Sequence, residues 1–123
     1  MNASLPTAFV LMIAVATAFG DDRSFTNQQI CRAAIATIMH KDVGIVSASG
    51  EGTISVTYSS NGRKTFKCRI EGQRVMWGNA DGRWRNHPMD EKVMWETEGN
   101  TLVIRQPWSD GSVSEDKFTR DQL

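Results

Sequence analysis

The stretch ISVTYSSNGRKTFKCRI, residues 54–70, decides how this chain is built. In its first half Ile54, Val56 and Tyr58 fall on one side of an extended chain, with Ser55, Thr57 and the preceding Thr53 on the other. In its second half Phe66, Cys68 and Ile70 oppose Thr65, Lys67 and Arg69. Side chains of a strand alternate between faces with period two, so each half reads as a half-buried strand. Asn61-Gly62 lies between them, a pair that tolerates the positive φ of a tight hairpin turn. The stretch is therefore an antiparallel hairpin, and Cys68 lies on its apolar side.

Working outward, the same period continues toward the C-terminus. Glu71-Gly72-Gln73 turns into Arg74-Val75-Met76-Trp77. Further strands fall at residues 92–97 and 101–106, joined across Glu98-Gly99-Asn100, and a last one at 113–118 follows Ser109-Asp110-Gly111. A short strand at 45–48 precedes the hairpin and ends at Ser49-Gly50-Glu51-Gly52. Successive strands joined by short turns make an antiparallel meander, because parallel pairs need long crossovers. Before the strands the period changes to that of a helix. Thr26 caps its start with Gln29 placed to reach back, and Ile30, Cys31, Ala34, Ile35 and Ile38 share one face up to about His40. His40 and Lys41 close the helix where exposed carbonyls favour positive charge, and Gly44 follows. The expected fold is α+β: an N-terminal helix packed on a curved antiparallel β-meander of six or seven strands, pinned by one disulfide. Cys31 and Cys68, the only cysteines, each point at the same core and form that bridge.

The first twenty residues, MNASLPTAFVLMIAVATAFG, carry no charged side chain, and residues 8–20 are almost continuously apolar. That run is shorter than the roughly 20 residues of a membrane span. It suits a secretory signal, with Ala16-Thr17-Ala18 as the small-residue cleavage pattern, although no Lys or Arg precedes it. Residues 1–18 are read as the signal and 19–123 as one exported domain, with cleavage after Gly20 as the second choice. The competing reading is an uncleaved anchor or a buried N-terminal helix. A mature chain of this size buries roughly 65% of its unfolded surface, enough for one core. An even cysteine count in such a chain fits an oxidising, periplasmic or secreted location.

Basic and acidic residues balance, 14 against 14, which argues against bulk attraction to nucleic acid or an anionic membrane. Their distribution is uneven: residues 63–85 hold seven basic and two acidic side chains, residues 86–123 four and eight. Enzyme signatures are missing. There is no GxSxG elbow, phosphate-cradling glycine loop or HExxH. His40, His87, Asp42 and Asp90 have no metal-ligand spacing, so no metal, cofactor or catalytic residue is assigned. Glu96 and Glu98 share a strand face with Lys92, as solvated residues do.

The aromatic residues carry more. All four tryptophans follow residue 76; Trp77 and Trp95 share faces with Val75 and Val93 and belong to the core. Trp84 stands in Asp81-Gly82-Arg83-Trp84-Arg85, ahead of His87-Pro88, in a loop or broken edge. Trp and Arg dominate binding hot spots because they combine large area with fixed donors. The candidate contact residues are therefore Arg83, Trp84, Arg85 and His87, with Trp108 as a neighbour; the competing reading is a packed Trp84 with solvated arginines. The expected function is a small exported binding domain, non-catalytic, recognising a protein, peptide or cell-wall component, for example as an inhibitor of an envelope or secreted enzyme. Two alternatives remain: a calyx for a small apolar ligand lined by Trp77 and Trp95, and a hydrolase using His87 and Asp90. A monomer or a dimer paired through exposed strand edges is expected, with no stable membrane span after signal removal.

Overall fold

The computed structural model describes residues 24–123. The expected signal and its cleavage site lie outside the described residues. Helix α1 runs Asn27–Met39, started by the capping box read from the sequence: Thr26 Oγ1 accepts from the Gln29 amide at 3.1 Å, and Gln29 Oε1 accepts from the Thr26 amide at 2.9 Å. Its end falls at His40, as read from the sequence, and the backbone closes it. His40 takes the left-handed conformation, φ 55°, and the amides of His40 and Lys41 reach back to the carbonyls of Thr37 and Ala36. That is a Schellman-type ending with histidine where glycine is usual.

Seven strands follow in sequence order: β1 Val46–Ser49, β2 Ile54–Ser59, β3 Arg63–Glu71, β4 Arg74–Asn79, β5 Val93–Glu98, β6 Thr101–Pro107 and β7 Val113–Thr119. They form one antiparallel sheet in the order β1 to β7, each strand paired with the next. The curved sheet wraps one face around α1. Register confirms the opening hairpin: Ile54 lies opposite Cys68 and Val56 opposite Phe66, all buried on the helix side. Asn61 and Gly62 both take positive φ, 60° and 110°, as the turn chemistry requires.

Helix and sheet bury one core. Ile30, Cys31, Ala34 and Ile35 of α1 pack with Ile54, Val56, Phe66, Cys68, Val75, Val93, Leu102 and Ile104 of the sheet. The alanines at 33, 34 and 36 are buried too and, being small, let the helix sit close to the strands. The Cys31–Cys68 disulfide crosses this interface with Cα atoms 6.0 Å apart. Closing that loop stabilises the fold by about 4 kcal/mol on a chain-entropy model. Trp77 and Trp95 pack against the core from its margin.

Arg32 is used structurally. Arg32 leaves α1 and donates to three backbone carbonyls, those of Val43, Val46 and Leu123. A guanidinium fork suits such a cluster because its donors lie in one plane. Gln28 likewise donates to the Gly50 carbonyl. Together these two α1 side chains blunt the β1 edge, one of the two where strand pairing between copies would occur. The other edge, β7, carries Glu115, Asp116 and Lys117.

Candidate functional site

The regular ladder fails in one place. β4 and β5 pair only through Arg74 with Met94 and Val75 with Val93. Residues 80–92 leave the sheet between them, and they hold most of the contact residues expected from sequence. The Gly82 amide donates to the Asn79 carbonyl at 3.0 Å, closing the turn that Asp81-Gly82 implied. The chain then doubles back along the unpaired half of β4, where the Arg85 amide donates to the Trp77 carbonyl at 2.6 Å. Gly78 makes this return feasible. A Cβ there would stand 2.3 Å from the Arg83 carbonyl oxygen, so no side chain fits under the loop.

The three residues of the Arg-Trp-Arg run separate by face. The half-buried Trp84 ring lies against the outer face of the sheet, with Lys67 Nζ 4.8 Å and the Arg69 guanidinium carbon 4.5 Å from its centroid. Lys67 also donates to the Gly82 carbonyl, which ties β3 to the loop. Arg83 turns to Asp90 and grips both carboxylate oxygens, at 2.9 and 3.0 Å. Arg85 Nε stands 3.4 Å from the same carboxylate, close enough for attraction but outside hydrogen-bond geometry, with its guanidinium 5.3 Å from the Trp77 ring centroid.

Asp90 is the organiser. Its carboxylate also accepts from the His87 amide at 3.0 Å, and its own amide donates to the His87 carbonyl at 2.9 Å. The side chain is only 9% exposed. The Arg83 hydrogen bond, helped by the His87 amide and the charges of Arg83 and Arg85, holds the carboxyl well below its ordinary range against the opposing effect of desolvation. The same pairing raises Arg83 further above its usual value. Because Arg83 is largely solvated, this pair positions the loop more than it stabilises the fold. His87 meets Asp90 through its backbone, while its Nδ1 accepts from the Met89 amide at 3.1 Å. The imidazole and the carboxylate therefore do not form an acid–base pair in this arrangement.

The tip of that turn, Met89, is 84% exposed. Met89 and Asp90 line a depression of about 270 Å³ with Glu91, Lys92, Pro107, Trp108 and Ser109. This brings Trp108 beside the loop. Trp108 is 36% exposed and held rigidly: its amide donates to the Ser112 carbonyl at 2.8 Å and its Nε1 to Ser114 Oγ at 2.8 Å. Asp110 orders the same turn by accepting from the Ser112 hydroxyl and amide, which lowers its own pKa. Pro107 continues into an adjoining depression of about 320 Å³, shared with Gln73, Met94, Trp95, Glu96, Arg105 and Val113. Val113 is 55% exposed.

Sequence reasoning missed Asp90 as the hub, the cations under Trp84, and Met89 and Val113 as exposed apolar groups. Only Gly78 left a readable signal, since a glycine inside a strand often marks close backbone approach. Among the described residues no three His, Cys, Asp or Glu side chains gather as metal ligands. Among them, too, no helix is long and apolar enough to cross a membrane. Compared with models of known protein families, with curated proteins and with solved structures, the chain matches none.

Proposed function

We propose that this is an exported, periplasmic or secreted, non-catalytic domain that binds a protein partner through the end of the sheet formed by Met89, Pro107, Trp108 and Val113. One observation carries the reading. Of the four large apolar side chains exposed among the described residues, three, Met89, Trp108 and Val113, gather around Pro107. Scattered exposed apolar groups need no explanation, but a cluster with a fixed tryptophan is how binding sites are built. Trp108 is already ordered by its turn, so little entropy is lost when a partner covers it. The Asp90-tethered loop supplies one wall and brings Arg83, Arg85 and His87 to the rim. The apolar N-terminal run and the disulfide support export.

Two features favour binding over the alternatives. Asp90, engaged by Arg83 and the His87 amide, is a poor proton acceptor. Packed side chains occupy the space between helix and sheet where a calyx would lie.

The test is retention of a partner from the host's envelope and secreted fractions by oxidised protein, beside the Met89→Ala/Trp108→Ala variant. A partner held by the wild type and lost by the folded variant supports the reading, and its activity can then be assayed for inhibition. Equal retention by both proteins places the contact elsewhere and sinks it. Recovery of peptidoglycan fragments instead of a protein makes the ligand a cell-wall component.

A further inference from the structure

The outer face beside this surface carries charge that the fold leaves unbalanced. Register places Arg63, Lys67, Arg69 and Arg74 on the sheet face away from α1, across β3 and β4. Arg69 pairs with Glu71 at 2.5 Å, and the adjacent loop arginines share Asp90. Arg63, Lys67 and Arg74 have no ion-pair partner among the described residues. Arg74 Nε is buried and accepted by nothing there. Lys67 and Arg69 are held half-buried against the Trp84 ring, and Lys67 Nζ also donates to the Gly82 carbonyl, so both charges are fixed in place without a carboxylate neutralising Lys67.

The opposite half of the same face holds three carboxylates against two cations, all of them paired. Glu96, Glu98 and Glu115 all bond Arg105, and Glu98 also takes Lys117. A second copy of this chain therefore offers one net negative charge on that face, too little to neutralise three unpaired cations. Loop 80–92 joins the basic half to the apolar end, since Asp90 holds Arg83 and also lines the Met89–Trp108 depression. An apolar centre with a charged rim is the anatomy of a protein interface.

The geometry points to an acidic protein as the partner, one that seats apolar side chains at Met89 and Trp108 and lays carboxylates on Arg63, Lys67 and Arg74. This inference rests on the proposed protein-binding function and adds the chemistry of the partner. The uncompensated cations steer the encounter and set its orientation, which a chain of zero net charge cannot do by bulk attraction.

The charge requirement is tested separately from the apolar one, with poly-L-glutamate titrated into oxidised full-length protein at low and high salt. The expected result is salt-sensitive binding that Arg63→Glu/Lys67→Glu weakens by about tenfold or more. The milder Arg63→Gln/Lys67→Gln pair, which keeps side-chain bulk, is expected to weaken it by a smaller factor in the same direction. No binding, or equal binding by wild type and both charge variants, overturns the inference while leaving the Met89–Trp108 retention test standing. Tighter capture by polygalacturonate at equal carboxylate, or by phosphatidylglycerol vesicles, also overturns it, because the face would then recognise a glycan or a membrane.

Discussion

The β2–β3 hairpin and the β4–β5 junction perform one task, joining antiparallel neighbours, in opposite ways. β2 and β3 pair through six residue pairs across a turn whose Asn61 and Gly62 already prefer positive φ. β4 and β5 pair through two, with residues 80–92 between them. Where local chemistry specifies the turn, the ladder runs to its end. Where it does not, half of β4 is left with an open edge, and buried or edge carbonyls must find donors elsewhere. The loop supplies one at Trp77, and in returning it brings Asp90, Met89 and the two arginines to the end of the sheet. The irregular junction is thus what creates the candidate surface.

The largest effect is expected at the disulfide. Cys31→Ala/Cys68→Ala removes the bridge behind the β2–β3 hairpin and is expected to cost about 4 kcal/mol in denaturant unfolding, enough to leave a domain of this size marginal. A loss below 1 kcal/mol would show that packing of α1 alone holds the sheet.

Two glycine substitutions then separate the junctions. Gly78→Ala drives a Cβ into the Arg83 carbonyl and is expected to cost about 3 kcal/mol unless the loop lifts. Lifting would appear as lost hydrogen-exchange protection at the Arg85 amide and a red-shifted tryptophan emission. Gly62→Ala meets open space, so its cost, roughly 1 kcal/mol, comes only from positive φ. If the two variants prove equally destabilising with no change at Arg85, the account of Gly78 is wrong.

The smallest global effect is expected from Asp90→Asn. Melting temperature should barely move, while exchange at the His87 and Arg85 amides accelerates and retention of the partner falls. Asp90 also predicts an acid dependence. Its carboxyl titrates below the ordinary range when folded, so its contribution is complete above about pH 4 and drains away as pH falls toward the lower folded value. Loop protection, corrected for intrinsic exchange, should therefore hold from neutral pH to about 4.5 and weaken in stronger acid. The Asn variant should lack that acid limb.

Much of the fold was legible because its rules are local. Period-two alternation, the Asn61-Gly62 and Glu98-Gly99-Asn100 turns, and the Thr26–Gln29 capping box each depend on residues within a few positions of one another. The disulfide followed from two independent facings, Cys31 on a helix stripe and Cys68 on a strand face. Edges were less legible: the end at His40 could be read, but not the left-handed backbone with which His40 closes α1. The candidate site was legible only as residue types. Arg83, Trp84, Arg85, His87 and Trp108 could be singled out, but not that Arg83 and Arg85 would share Asp90, or that Lys67 and Arg69 would underlie Trp84.

The helix, the strands, their faces and the cysteine bridge follow from local chemistry, since backbone preference and burial pattern act over short spans of chain. Long-range packing selected which part of β4 would stay unpaired, where the loop would land, and that Met89, Trp108 and Val113 would meet around Pro107. Those outcomes depend on contacts between residues far apart in sequence, whose energies exist only once curvature and register have placed them within reach.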